Sequence, residues 1–511
     1  MRINPTHALT AMLFAASATS GSTQDQPLSA IEWLAPAPED GLAGQPGEAP
    51  VADTVEDPEI AVSELGAPAL PVGLVPPSAT GFSPDLFTRS DPTVTARLIR
   101  QVPVRRNPAM QRLLYALLLT ETLGTTGGDP SDPLLLARID RLMDLGAVDA
   151  AQSLAELADP ERSPELFERW FEATLLNGQD ARSCSTLLSL PGLTTDYGAR
   201  VFCSTRLGDW PAAAIILDNA AILGDIDPQK AQLLDVFLHP ELNEGSPPLT
   251  VPRAPDALTF RLFEAIGEPL PTAPLPRKFA TADLRDIVGW KAQLEAAERL
   301  ARSGALSANN LLGLYTERKP AASGGIWDRV EAVQQLDAAL SIGSVDAVQK
   351  TLPRAWAHMR DAELEVVFAE IFYRRLAQVA LTAPDAQHLV FRIGLLSSDY
   401  ALAAQNPPDV GPRARYLIGL TQGAPDPNLA SSDTAAAIAA GFDPTTPLPE
   451  TIQALFQEGR LGEAILLSMR AFDRGARGNT AQLTDSLATL NASNLGDTAR
   501  RAALQLLLLE R

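Results

Sequence analysis

From about residue 84 onward, apolar positions recur at i, i+3, i+4 and i+7, the spacing that gathers them on one face of a 3.6-residue helix. Leu135, Ile139, Leu142 and Met143 show the pattern. Asp132 before them suits a helix cap. Pro133 suits the first helical position, where its missing N–H costs nothing, and Gly146 supplies a left-handed stop. The spacing therefore predicts a helix over 132–146. A second helix follows with Ala150, Ala151, Leu154 and Leu157 inward. A third opens at Ser163 and Pro164, buries Phe167, Trp170, Phe171 and Leu175, and ends at Asn177 and Gly178. The strongest pattern lies over 364–380, with Phe368, Ile371, Phe372 and Leu376 on one side. A last helix over 498–510 carries Leu506 to Leu509 in succession, which covers more than one face and predicts a helix wrapped by neighbours or capping an interface. Aromatics are only 5% of the chain, so the core is built from Ala and Leu, which favours closely packed helices over strands.

A unit recurs along this helical body. Gly is followed four residues later by Ala at Gly146/Ala150, Gly208/Ala212, Gly304/Ala308 and Gly343/Ala347, with looser copies at Gly178/Ala181 and Gly459/Ala464. Gly turns the chain between two helices, and the small Ala lets the second helix approach the first. A period in the thirties is the size of a helix–turn–helix repeat. The run Glu458, Gly459, Arg460, Leu461, Gly462, Glu463, Ala464, Ile465 resembles the turn between the two helices of a tetratricopeptide-like α-solenoid repeat, and 145–151 is a second such run. The resemblance is spread over roughly 130–475; the family's Trp, Tyr and terminal Pro positions are mostly not matched. It implies an all-α fold, an irregular right-handed α-solenoid of about nine to eleven helical hairpins with a concave groove for protein partners. An irregular helical bundle is the other arrangement the pattern allows. Pro-rich stretches at 239–258, 268–276 and 407–412 divide the body into blocks over 84–270, 271–408 and 409–511.

The first 83 residues read differently. Arg2, an apolar run over 8–16 and the small residues Ala16, Ser17 and Ala18 predict a secretory signal peptide over 1–18. Residues 21–80 hold ten of the 42 prolines, ten Asp or Glu, and no Lys or Arg. Such a stretch buries too little apolar surface to offset its ordering entropy, so 19–83 is expected to be a disordered acidic tether. Two apolar islands interrupt it: 28–34, with Ile31 and Trp33, and 70–75. Each is a short motif for a partner, a segment that docks on the protein's own helices, or a stretch with no role. The Ala-rich, Lys-poor composition suits a GC-rich bacterial genome, so the signal predicts a periplasmic protein. No later stretch reaches the length of a transmembrane helix.

With 41 Lys and Arg against 62 Asp and Glu, the net charge is −21, which argues against nucleic acid as a partner. His7, His239, His358 and His388 are far apart with no His or Cys at ligand spacing, so neither metal nor cofactor is expected. No nucleophile elbow, phosphate loop or dinucleotide fingerprint is present. The expectation is an exported non-enzymatic scaffold or adaptor that holds a protein partner through the groove or the tether. A structural part of an envelope motility or secretion machine, and a peptidoglycan-acting enzyme or its accessory subunit, are the alternatives.

Partner-binding candidates in the body are the basic island Arg97, Arg100, Arg105 and Arg106, and the loop at Lys319 that leads to Trp327. The first is a docking site for an anionic partner or a solvated helix end. The second presents a recognition side chain or anchors the next helix. Finally, Cys184 and Cys203 fall on predicted helices over 180–190 and 195–207, equally far from the turn at 191–194. The two sulfurs therefore lie at one height of a hairpin, which predicts a disulfide if the helices approach to a Cα separation of about 7 Å. Two buried free thiols are the alternative.

Overall fold

A computed structural model describes residues 71–124, 132–242 and 249–509. Every regular element among the described residues is helical; only two isolated bridges, Val72 to Thr122 and Val75 to Thr120, interrupt this. The first helices are α1 (Pro77–Thr80), α2 (Pro92–Gln101), α3 (Pro108–Leu119), α4 (Pro133–Leu145), α5 (Val148–Leu157), α6 (Pro164–Asn177), α7 (Ala181–Ser189) and α8 (Tyr197–Arg206). There follow α9 (Trp210–Leu223), α10 (Pro228–Leu238), α11 (Ala257–Ala265), α12 (Trp290–Ala301), α13 (Ala308–Glu317), α14 (Ile326–Ile342), α15 (Val345–Asp361) and α16 (Glu365–Leu376). The last are α17 (Pro384–Leu396), α18 (Tyr400–Ala403), α19 (Pro412–Thr421), α20 (Asp433–Phe442), α21 (Glu450–Gln457), α22 (Leu461–Ala476), α23 (Thr480–Ala492) and α24 (Gly496–Leu508). No described helix is long and apolar enough to cross a membrane.

Local chemistry sets the helix ends. The Asp132 carboxylate accepts from Leu134 N at 2.8 Å, Pro133 opens α4, and Gly146 closes it at φ +84°. The glycines of all six Gly–Ala turns, at 146, 178, 208, 304, 343 and 459, have positive φ. From α4 to α11 each helix packs against the next. The chain then departs from a strictly linear stack, in which a repeat touches only its neighbours. Helix α24 packs against α3, α17 and α19, and α22 packs against α2. Asn107 Nδ2 donates to Ala502 O at 3.1 Å, and Gln505 Oε1 accepts from Ala109 N at 2.7 Å. Gly462 lies so close to Phe87 that a Cβ there would sit 2.3 Å from the ring. One hydrophobic core runs from Phe82 to Leu509 across both expected block boundaries.

The expected tether boundary at residue 83 is too late. Val72 N donates to Thr122 O at 2.9 Å, and Leu74 N and Val75 N both donate to Leu119 O. Arg138, only 2% exposed, explains why this part of the segment is held. Its guanidinium donates to Leu118 O, Val72 O, Thr122 Oγ1 and Thr120 O at 2.8 to 3.0 Å. A buried charge needs all its donors satisfied, and the Val72 carbonyl supplies one acceptor. The apolar residues 72–75 thus dock on the protein's own helices, and Phe82, Leu86 and Phe87 enter the core. A second buried charge fixes the middle of the fold. Arg329 of α14 binds both oxygens of Glu298 of α12 at 2.7 Å, and the fully buried Tyr315 of α13 donates its hydroxyl to Glu298 Oε1 at 2.7 Å.

Candidate binding cleft

Four chain-distant segments meet to form a cleft: residues 103–112 at the start of α3, the end of α4 with its Gly146 turn, residues 271–302, and the turn from α15 to α16. The Gly146 turn locks two of them together. A Cβ at Gly146 would lie 2.4 Å from Leu300 Cδ2 and 3.1 Å from Arg277 Cγ. Ser303 Oγ donates to Leu145 O at 2.7 Å, and Thr281 Oγ1 to Gly146 O at 3.3 Å. Residues 268–276, expected to be only a break between blocks, instead wall the cleft through Pro271, Thr272 and Ala273. Here Arg299 reaches back to hold the Thr272 and Leu275 carbonyls.

The cleft has two lobes, of about 1100 Å³ and 640 Å³, which share Gln111, Arg302 and Glu363. Glu363 sits in a left-handed conformation, φ +57°, a position that glycine fills with less strain. The larger lobe is lined by five arginines: Arg105, Arg141, Arg277, Arg299 and Arg302. The side-chain bonds of four of them go to backbone carbonyls: Arg141 to Val102 at 2.6 Å, Arg277 to Asp144 at 3.4 Å and Arg302 to Ala362 at 3.3 Å, beside those of Arg299. None of the five makes an ion pair with a carboxylate of the described residues. Burial and the neighbouring Arg299, Arg105 and Arg141 lower the pKa of Arg277 from its ordinary value; burial and Arg302 do the same for Arg299. Tyr115, which lines the smaller lobe, is pushed well above the usual phenol value by burial, against the pull of Arg277 and Arg141. Its hydroxyl, Arg141 Nε and Arg277 Nε are shut off from solvent without a hydrogen-bond partner among the described residues.

Carboxylates line the larger lobe too, but differently. Asp144, Glu295, Asp361 and Glu363 are exposed at the rim, and the half-buried Asp283, its pKa raised by burial, accepts a hydrogen bond from Thr272. Arg141, Arg277 and Arg299 are half-buried. A charge held away from water acts over a longer range than one at the surface, so the lobe is electropositive at its floor despite a balanced count. The smaller lobe is of mixed character, with Leu119, Ala147, Ala150, Leu306 and Val366 among polar groups such as Asn309 and the ion pair Arg112–Glu370.

Of the sequence-predicted residues, Arg105 alone enters this cleft. Arg97 is exposed on α2, and Arg100 faces Asp140 at 3.4 Å, a carboxylate that Arg169 also holds. Arg106 lines a small crevice with Phe472 and Gln505, where α3 meets the C-terminal helices. Lys319 is exposed. Trp327 is half-buried, its ring 5.3 Å from that of Trp290, so it anchors α14 against α12. Ile31 and Trp33 lie outside the described residues. Cys184 and Cys203 are fully buried at disulfide distance, with Cα atoms 4.8 Å apart. Arg141, Arg277, Arg299, Arg302 and Tyr115 carry no sequence motif; the only local signal is Arg299 and Arg302 at i, i+3 on one helix face. No family model, no curated protein and no solved structure matches this chain.

Proposed function

We propose that the protein is an exported, non-enzymatic scaffold that receives an extended segment of a protein partner in the two-lobed cleft. The observation that carries this reading is the cleft's construction. Four segments far apart in the chain, two of them locked by the Gly146 turn, surround an open two-lobed trough, one lobe rich in charged groups and the other of mixed polar and apolar lining. That is the surface helical scaffolds offer to peptides. The Cys184–Cys203 pair supports an oxidising compartment, in agreement with the predicted signal peptide.

Site-specific photocrosslinkers at Glu295 and Asn309, on the rims of the two lobes, test the reading in the native cell envelope. The expected result is the same discrete protein adduct from both positions, none from Asp218 on the exposed side of α9, and loss of the adduct on filling the smaller lobe with Asn309→Trp in the Glu295 crosslinker protein. Equal labelling from all three positions, or none from the cleft, refutes the assignment.

A further inference from the structure

We propose that the larger lobe is a carboxylate-binding site, in which Arg105, Arg141, Arg277 and Arg299 hold acidic side chains of the bound segment. The inference rests on the cleft being the partner surface and adds the chemistry of its occupant. Elsewhere this acidic chain supplies its arginines with carboxylates freely: Arg169 with Asp140, Arg374 with Asp399 and Arg375 with Asp337 all pair at 2.6 Å. In the cleft the arginines instead cluster close enough to repel one another and bond only to carbonyls. Carbonyls leave the positive charge in place. A planar guanidinium fits a carboxylate with two parallel hydrogen bonds, so a carboxylate entering the lobe offsets the clustered positive charge.

The rest of the cleft selects among anions. Exposed Asp144, Glu295 and Asp361 at the rim repel a uniformly charged polyanion such as nucleic acid. An acyl chain needs dry walls, whereas the smaller lobe presents Gln111, Arg112, Asn309 and Glu370 between its apolar residues. Acidic residues spaced by apolar ones match both lobes.

The test uses the full chain and a fluorescein-labelled peptide of alternating Glu and Leu, about ten residues or ~33 Å long when extended. Fluorescence anisotropy should show saturable binding that weakens with added salt. The double variant Arg277→Gln, Arg299→Gln should lose about tenfold in affinity, the scale of one charge-assisted contact. Arg413→Gln with Arg415→Gln on α19 should bind as the parent does. Circular dichroism and thermal melting confirm that each variant is folded. A cleft variant that binds as well as the parent, an equal loss in the α19 control, equal binding of an alternating Lys and Leu peptide, or preferential binding to phosphatidylglycerol vesicles overturns the proposal. The Glu295 crosslink separates the two readings. If the adduct survives Arg277→Gln, Arg299→Gln while Asn309→Trp abolishes it, the scaffold assignment stands and the carboxylate site falls.

Discussion

Replacing Arg329 by Met should destabilise the fold more than replacing both Arg329 and Glu298. Arg329 holds both oxygens of Glu298, which is 3% exposed and also accepts the Tyr315 hydroxyl. Arg329→Met keeps most of the side-chain volume but strands a buried carboxylate with one remaining donor. Removing one partner of a buried pair costs about 3–5 kcal/mol, because the other charge is left uncompensated. The entropy of unfolding for a body of this size is about 0.9 kcal/mol/K at roughly 2.1 cal/mol/K per residue, so the melting temperature should fall by about 3–6 °C. The double variant Arg329→Met, Glu298→Leu removes the charge as well. It leaves only the Tyr315 hydroxyl without its acceptor, at a cost of about 1–3 kcal/mol. Urea denaturation of the single and double variants, followed by circular dichroism, measures the difference. Additive losses, with the double variant worse than Arg329→Met, would refute the claim that an uncompensated charge dominates.

Gly146→Ala should lose about 2–3 kcal/mol, since a methyl group there meets a positive φ and the Leu300 side chain together; chemical denaturation checks it. Glu363→Gly should gain up to about 1 kcal/mol by relieving the left-handed strain, read as a higher urea midpoint. Asp256 is opposed by burial, but Lys230 and the Thr259 N–H outweigh that and hold its carboxyl below the ordinary value. Its stabilisation is therefore present above the unfolded pKa and lost as pH falls through the lower folded one. Asp256→Asn should flatten the acid side of the stability profile, by less than about 1 kcal/mol because the side chain is half exposed. Denatured, unreduced protein should titrate no free thiol, and replacing Cys184 and Cys203 by Ala should cost about 3 kcal/mol for a loop of about 20 residues.

What could be read from the chain divides by the range of the interaction involved. The ends of α4 are decided within a few residues: Asp132 caps, Pro133 starts, Gly146 stops. The cysteine pairing needs one step more, a short turn that sets two helices side by side, and symmetry about that turn was enough to place both sulfurs. The closure of the C-terminal helices on the first ones, α24 on α3 and α22 on the segment before α2, lies beyond such reasoning. It rests on a polar bond between Ala109 and Gln505, 396 residues apart, and on a glycine at 462 that admits Phe87. Neither residue type announces a partner. The cleft is hidden for the same reason and one more. Arg141, Arg277 and Arg299 each look like an ordinary solvated cation in sequence, in a protein with carboxylates to spare. Only packing shows that their side chains turn toward backbone carbonyls and toward each other. The Pro-rich stretch before Arg277 reinforces the disguise, because prolines that break helices read as a linker. Here the same stretch folds into a turn, closed by Leu275 N donating to Thr272 O, and Arg299 holds its Thr272 and Leu275 carbonyls. The residues that read as the end of a helical block are thus those that position the charge of the cleft.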